Sequence, residues 1–150
     1  MNVKLRPVTQ NDWKFILEIR NQEEVRMACY DTSIIDYHDH EKYMKKLDNT
    51  LNCKQWIIVF NDIDVGQAKV DDLVLGYMLT KKYRGKGIWS DAYELVLQEV
   101  RKIGYKKLKG TVKYEQKKQL EIALKLGFVI TGDLYKDGKA AGYDLSLIHI

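Results

Sequence analysis

Proline is all but missing from this chain of 150 residues: there is one, Pro7. No Pro-, Ser- or Gly-rich stretch breaks it into parts, and no segment repeats. One domain over residues 1–150 is the expectation, at a length that can bury a proper core. Cysteine is equally scarce, with Cys29 and Cys53 alone. They lack CxxC spacing and have no histidine cluster beside them, which argues against a zinc site and against a disulfide scaffold; no metal is expected. No apolar run approaches the roughly 20 residues that span a bilayer, so no membrane partner is expected. The opening "MNVKLRPVTQ" has no signal-peptide core, which favours the cytoplasm. The excess of base is small, 25 Lys and Arg against 21 Asp and Glu. It is interleaved with acid rather than gathered into the stripe of a nucleic-acid binder, so nucleic acid is not an expected partner. A mild positive bias suits a polyanionic small molecule.

What is present is a clear succession of elements. "VKLRPV" alternates as a strand, with Pro7 near its end or at an edge. Thr9 and Asp12 then resemble a capping box, ahead of an apolar stripe of Phe15, Ile16 and Ile19 on a helix over about 10–21. A short helical piece follows Asn21. Asp36 is a good N-cap for a helix over about 37–48. Residues 55–60 and 65–71 read as a hairpin around "NDID", and 73–80 as a strand apolar enough to be central. Ile88, Ala92, Leu95, Val96 and Val100 recur at helical spacing over 87–103, and Gly104 closes that helix. A strand over 106–114, a helix over 116–126 and a hairpin turning at "KDGK" complete the chain. The order β-α-α-β-β-β-α-β-α-β-β predicts a mixed α/β sheet.

The informative stretch is "KKYRGKGIWS", residues 81–90, between the central strand and the long helix. A helix N-terminus carries unpaired N–H groups and partial positive charge. Gly85 and Gly87 let the backbone approach an anion, and Arg84 and Lys86 add charge. This is a device for holding phosphate. It is neither a Walker A loop, which needs GxxxxGK[ST], nor a dinucleotide fingerprint, which needs a third glycine where Ser90 stands. The plainer alternative is a glycine-rich turn with solvated charges.

Together, "LRPVTQNDW", "LTKKYRGKGI" and "ALKLGFVITG" in this order resemble the GNAT superfamily, the GCN5-related N-acetyltransferases, over essentially the whole chain. Arg84, Gly87 and residue 89 fall on the superfamily's coenzyme motif [Q/R]xxGx[G/A]. The resemblance implies a single-domain, mostly antiparallel mixed sheet with helices on both faces and splayed central strands. It implies acetyl-CoA as co-substrate, with its pyrophosphate on the backbone amides of Arg84, Gly85, Lys86, Gly87, Ile88, Trp89 and Ser90. Leu79 and Lys81 would flank the pantetheine arm, and Gln116 and Gln119 would meet its amides. Trp89 departs from the motif's small residue and is expected to face away from the ligand, as an ordinary core residue of an amphipathic helix would. Ala123 stands where many relatives carry a tyrosine acid.

The resemblance further implies attack of a neutral amine on the thioester, with an oxyanion donor near Leu79 at a bulge in the fourth strand. Candidates for the base are Glu115, Asp71, Asp72 and His40, and for the acid Tyr77 and Tyr114. On a plainer reading, His40 is a solvated surface residue and Glu115 a helix N-terminal charge. "RN…VR" followed by a His-bearing helix is similar to the branch acetylating nucleotide-linked amino sugars, which implies Arg20, Asn21, Arg26 and His40 as acceptor contacts. A polyamine, an aminoglycoside or a protein N-terminus is the alternative acceptor, supported by the acidic "YDTSIIDYHDHE". A binding module without turnover is the alternative outside enzymes. The terminal "LSLIHI" suits a last strand, at the edge of a possible homodimer.

Overall fold

The computed structural model describes residues 2–148 and 150; Met1 and His149 lie outside the described residues. Seven strands form one sheet: β1 (Val3–Pro7), β2 (Cys53–Phe60), β3 (Ile63–Asp71), β4 (Val74–Leu79), β5 (Lys107–Lys113), β6 (Val129–Lys136) and β7 (Lys139–Ile148). Their order is β1-β2-β3-β4-β5-β7-β6. Five α-helices accompany them: α1 (Trp13–Arg20), α2 (Glu23–Ala28), α3 (Tyr37–Asp48), α4 (Ile88–Lys102) and α5 (Lys117–Lys125). No helix among the described residues is long and apolar enough to cross a membrane.

Alternation along the strands sends side chains to two faces, and a core forms on each. On one face Ile57 packs with Trp13 and Ile16 of α1 and Met44 and Leu47 of α3. On the other, Ile58, Val65, Ala68 and Val70 pack beneath Trp89, Ala92, Tyr93, Val96 and Val100 of α4. Phe128 and Leu120 bring the α5 region to that same core. The mixed sheet with helices on both faces is thus as the sequence predicts.

The start of the chain is locked by charge. The Arg6 guanidinium donates twice to Asp12, at 2.9 and 2.7 Å, and once to Asp64 at 2.8 Å. The Thr9 N–H also donates to Asp12, at 2.8 Å. These bonds, Arg6 first, hold the Asp12 carboxyl below its ordinary range in spite of its burial. The Thr9–Asp12 pair opens with a 3-10 turn over Gln10–Asp12, and the α-helix begins only at Trp13.

Two further details differ from the sequence reading. The irregularity in this part of the sheet lies between β2 and β3, at Ile58/Val59, and not in β4. The β3–β4 register is continuous from Asp71↔Val74 to Gly66↔Leu79. Gly66 is required there: a Cβ would run into the Met78 carbonyl oxygen and the Leu79 side chain. His40, read as solvated, is only 4% exposed. Its Nε2–H donates to the Trp13 carbonyl oxygen at 2.7 Å and ties α3 to α1.

Burial pushes the His40 pKa below its ordinary value, and the bond to Trp13 only partly opposes this. The unfolded chain therefore takes up a proton first as pH falls. Stability should decline below about pH 6.5, by at most about 1.4 kcal/mol per pH unit, until the folded imidazole itself titrates. Urea titrations between pH 7.5 and 5 should show this slope in the parent and lose that component in His40→Gln.

Candidate active site

The sheet is incomplete at its centre. Strands β4 and β5 run parallel, yet they pair only at Val74↔Lys109, where the Lys109 N–H donates to the Leu73 carbonyl at 2.8 Å. Beyond that point they part. The Thr80 N–H donates to Val65 O at 2.8 Å, so Thr80 faces β3. In an antiparallel pair the hydrogen-bonding direction alternates residue by residue. Leu79 and Tyr77 therefore turn their N–H and C=O groups toward the gap, while the Leu75 N–H is taken by Lys109 of β5 at the closed end. The Leu79 carbonyl accepts from Arg84 Nε at 2.9 Å. Its N–H points into the slot, ready for an extended partner or a developing negative charge.

At the end of β4 the chain makes a short 3-10 turn, Lys81–Tyr83, and enters the glycine loop. Gly85 (φ +72°) and Gly87 (φ +80°) are both left-handed, a conformation that a side chain disfavours. Gly87 is the N-cap of α4 and offers no side chain to its first amides. The loop divides its groups cleanly. Ile88 and Trp89 are buried, whereas Gly85, Lys86, Gly87 and Ser90 are exposed. Trp89 stacks flat on Tyr77, with ring centroids 3.8 Å apart and planes 6° from parallel. The indole belongs to the core under α4; the Arg84 N–H is taken by Lys81 O at 3.3 Å, and the loop amides after it open toward solvent.

Arg84 does not point at the loop. Beyond Leu79 O, its guanidinium donates to Glu24 at 2.6 Å and to Gln22, both at the start of α2. A different cation, Lys118 on α5, comes close: its Nζ stands 4.0 Å from where a Cβ on Gly85 would be. Sequence reasoning missed Lys118, because nothing local relates the start of α5 to a loop 33 residues earlier. Lys81 and Lys86 are exposed on the loop, and Gln119 is exposed on α5.

A cleft of about 370 Å³ opens beside the ends of β5 and α2. Met27, Tyr30, Thr32, Lys113, Glu115, Gln116 and Ala141 line it. Glu115 is the one carboxylate among them. Lys113 Nζ donates to Met27 O at 3.1 Å and lies 5.4 Å from the Tyr30 ring centre. The Tyr30 hydroxyl is buried without a partner, and burial holds its pKa up. Met27, Tyr30 and Thr32 were not singled out as site residues: the sequence places Met27 on a short helical piece and Tyr30 and Thr32 in the acidic stretch "YDTSIIDYHDHE".

The other sequence candidates are scattered. Asp71 and Asp72 flank the β3–β4 turn at the closed end of the split, about 17 Å along β4 from Leu79. The Tyr114 hydroxyl donates to Asp133 at 3.0 Å, toward β6. Tyr77 lies under α4, and burial pushes its pKa up to about 12. Arg20 donates to Asp31 O at 2.8 Å. Arg26 donates to Asn21 O and Thr32 O at 3.1 and 3.0 Å. Asn21 exchanges two 2.9 Å bonds with the Ile35 backbone. These three side chains shape the segment between α2 and α3.

The division of the loop has a measurable consequence. Trp89→Leu should cost about 2–3 kcal/mol in urea through lost packing, and coenzyme A affinity should stay within about threefold. Gly87→Val should cost only about 1–2 kcal/mol in strain yet weaken coenzyme A at least tenfold by calorimetry, because its Cβ and φ deny the amides to phosphate.

Comparison with known proteins agrees with this geometry. The model of the acetyltransferase (GNAT) domain family matches residues 2–129. A search of curated protein sequences returns no significant match. Among solved structures, a domain from Methanocaldococcus jannaschii DSM 2661 is similar, with TM-score 0.85 and 20% identity over 98% of both chains. The spermidine N-acetyltransferase of Vibrio cholerae, in complex with CoA and spermine, has TM-score 0.84 and 15% identity over 98% of this chain and 95% of that one. A ribosomal L7/L12 α-N-protein acetyltransferase in complex with coenzyme A has TM-score 0.82 and 12% identity over 99% and 94%. At these identities the structures establish the fold. The split between β4 and β5, the glycine loop on α4 and the family match converge: the chain belongs to the GNAT acetyltransferase domain family.

Proposed function

We propose that the protein is an acetyl-CoA-dependent N-acetyltransferase that acts on a primary amine. The observation that carries this reading is the unpaired edge of β4, which runs from the closed end of the split to a helix N-terminus able to hold phosphate. An extended pantetheine arm fits that edge as a strand would, through the groups of Tyr77 and Leu79. Its pyrophosphate meets the amides from Gly85 to Ser90, the Arg84 N–H being bonded to Lys81 O, with Lys86 and Lys118 as nearby cations. Gln116 and Gln119 lie on the α5 side of the same path. The thioester then sits near the Leu79 N–H, which stabilises the oxyanion that forms as the amine attacks.

Glu115 is the base in this reading. It lines the cleft where an amine would approach, and an alkylammonium must lose a proton before it attacks. A phenol near 12 is a poor acid toward a thiolate. The transfer from Tyr77 would be uphill by about 5 kcal/mol against an ordinary thiol. The coenzyme thiolate therefore leaves as such and takes its proton from solvent, and Tyr77 serves as a wall of the slot.

For the acceptor, a small cationic amine is favoured over a nucleotide-linked amino sugar. Arg20 and Arg26, which a diphosphate would need, are engaged with backbone carbonyls. The neighbouring hollow is lined by Asp31 and Asp39 with Tyr43. That suits the polyamine alternative, and the similarity to the spermidine N-acetyltransferase of Vibrio cholerae lies in the same direction.

Thiol release from acetyl-CoA should be followed with spermidine, an aminoglycoside, a peptide N-terminus and UDP- and dTDP-amino sugars. Turnover is expected with spermidine ahead of the sugars; binding of coenzyme A with no turnover across the panel would count for a module that has lost its chemistry. With the best amine, Glu115→Gln should lower kcat/KM by about 10²-fold and flatten the acidic limb of its pH profile. Tyr77→Phe should leave kcat within about threefold, because no proton passes through it.

A further inference from the structure

The amine approaches past α2, and α2 is held in an unusual way. None of its six residues is buried, so no apolar anchor fixes it to the sheet. Arg26 bonds only to the segments flanking its own helix, at Asn21 and Thr32. The ties to the rest of the molecule are polar, and they come from opposite sides of the split. At the start of α2, Gln22 and Glu24 accept from Arg84, just past β4. At its end, Met27 O accepts from Lys113, the last residue of β5.

We propose that Arg84 and Lys113 are positioning residues that hold α2 as a strap across the open end of the β4–β5 split. Arg84 bonds the Leu79 peptide and α2 with one guanidinium, so it sets the coenzyme edge and the acceptor wall together. Its planar fork is needed for this, and a lysine ammonium cannot reach three acceptors in that geometry. Lys113 closes the strap from the other strand, and it lines the cleft with Met27. This role rests on the acetyltransferase reading for its catalytic meaning, but the strap itself is a property of the fold.

The test is amide hydrogen exchange over residues 22–30, with coenzyme A affinity measured by calorimetry on the same samples. Glu24→Ala, Arg84→Lys and Lys113→Met should each speed exchange in that segment by about fivefold or more, with the α4 core unchanged. Arg84→Lys combined with Glu24→Ala should add nothing beyond Arg84→Lys alone, since both break one tie. Coenzyme A affinity should hold within about threefold in Glu24→Ala and Lys113→Met. With acetyl-CoA and spermidine as probe amine, Glu24→Ala should raise the amine KM several-fold and leave the acetyl-CoA KM alone, which general loosening would not do.

Unchanged exchange over 22–30 in all three variants would overturn the strap. So would an Arg84→Lys variant that binds coenzyme A tenfold more weakly with α2 unmoved, because Arg84 would then be a phosphate ligand. Failure of the parent to bind coenzyme A would sink the acetyltransferase reading alone, and the exchange data would still decide the strap.

Discussion

Two parallel strands that meet at one residue pair and then separate are the constraint on which the rest depends. Val74↔Lys109 closes one end of the split. From there β4 presents backbone groups with no strand to receive them. Inside a sheet such an edge is costly unless something pairs with it. The molecule keeps it open by bracing both sides. Strand β4 is fixed in continuous register to β3, and β5 is fixed to β7 from Lys107↔Ile148 to Lys113↔Gly142. A ligand with alternating donors and acceptors is the natural occupant of what remains.

The second constraint is the division of labour at the start of α4. One short segment anchors the helix through Ile88 and Trp89 and offers its amides to solvent. These demands do not compete, because the side chains point inward and the N–H groups point along the axis. The large residue in the small position of the motif is accommodated for this reason: it stacks on Tyr77 within the core. The flat Tyr77–Trp89 contact also joins α4 to the strand that carries the open edge, so packing and site share one pair of rings.

Polar side chains, by contrast, are mostly committed to holding segments in place. Arg20, Asn21 and Arg26 support the turn between α2 and α3, and His40 ties α3 to α1. Each bonds to a neighbouring backbone group in the folded state without a ligand, although Arg20 Nη1 is buried with no partner. The polar side chains left lining the cleft are fewer: Tyr30, Thr32, Glu115 and Gln116. A site built this way has its geometry set by the scaffold, and in the proposed reaction one carboxylate and a backbone N–H carry the chemistry.

The sequence by itself determined the order of elements, their approximate bounds and the place of the glycine loop before α4. Those features are local. Apolar spacing over 88–100, the two glycines at 85 and 87 and the hairpin turns at Asn61–Asp62 and Asp137–Gly138 each act within a few residues. Trp89 was legible too, since a large apolar residue on an amphipathic stripe goes inward. Only the tertiary structure decided where the long polar side chains end. Arg84 stands beside two glycines in the chain, yet its partner Glu24 lies 60 residues away. His40 sits among charges in the sequence and is buried against Trp13. Glu115 and Lys118 reach the site because β5 and α5 bring them there. A flexible cationic or acidic side chain bonds whatever the fold sets within its reach, and that neighbour is fixed by packing rather than by spacing along the chain.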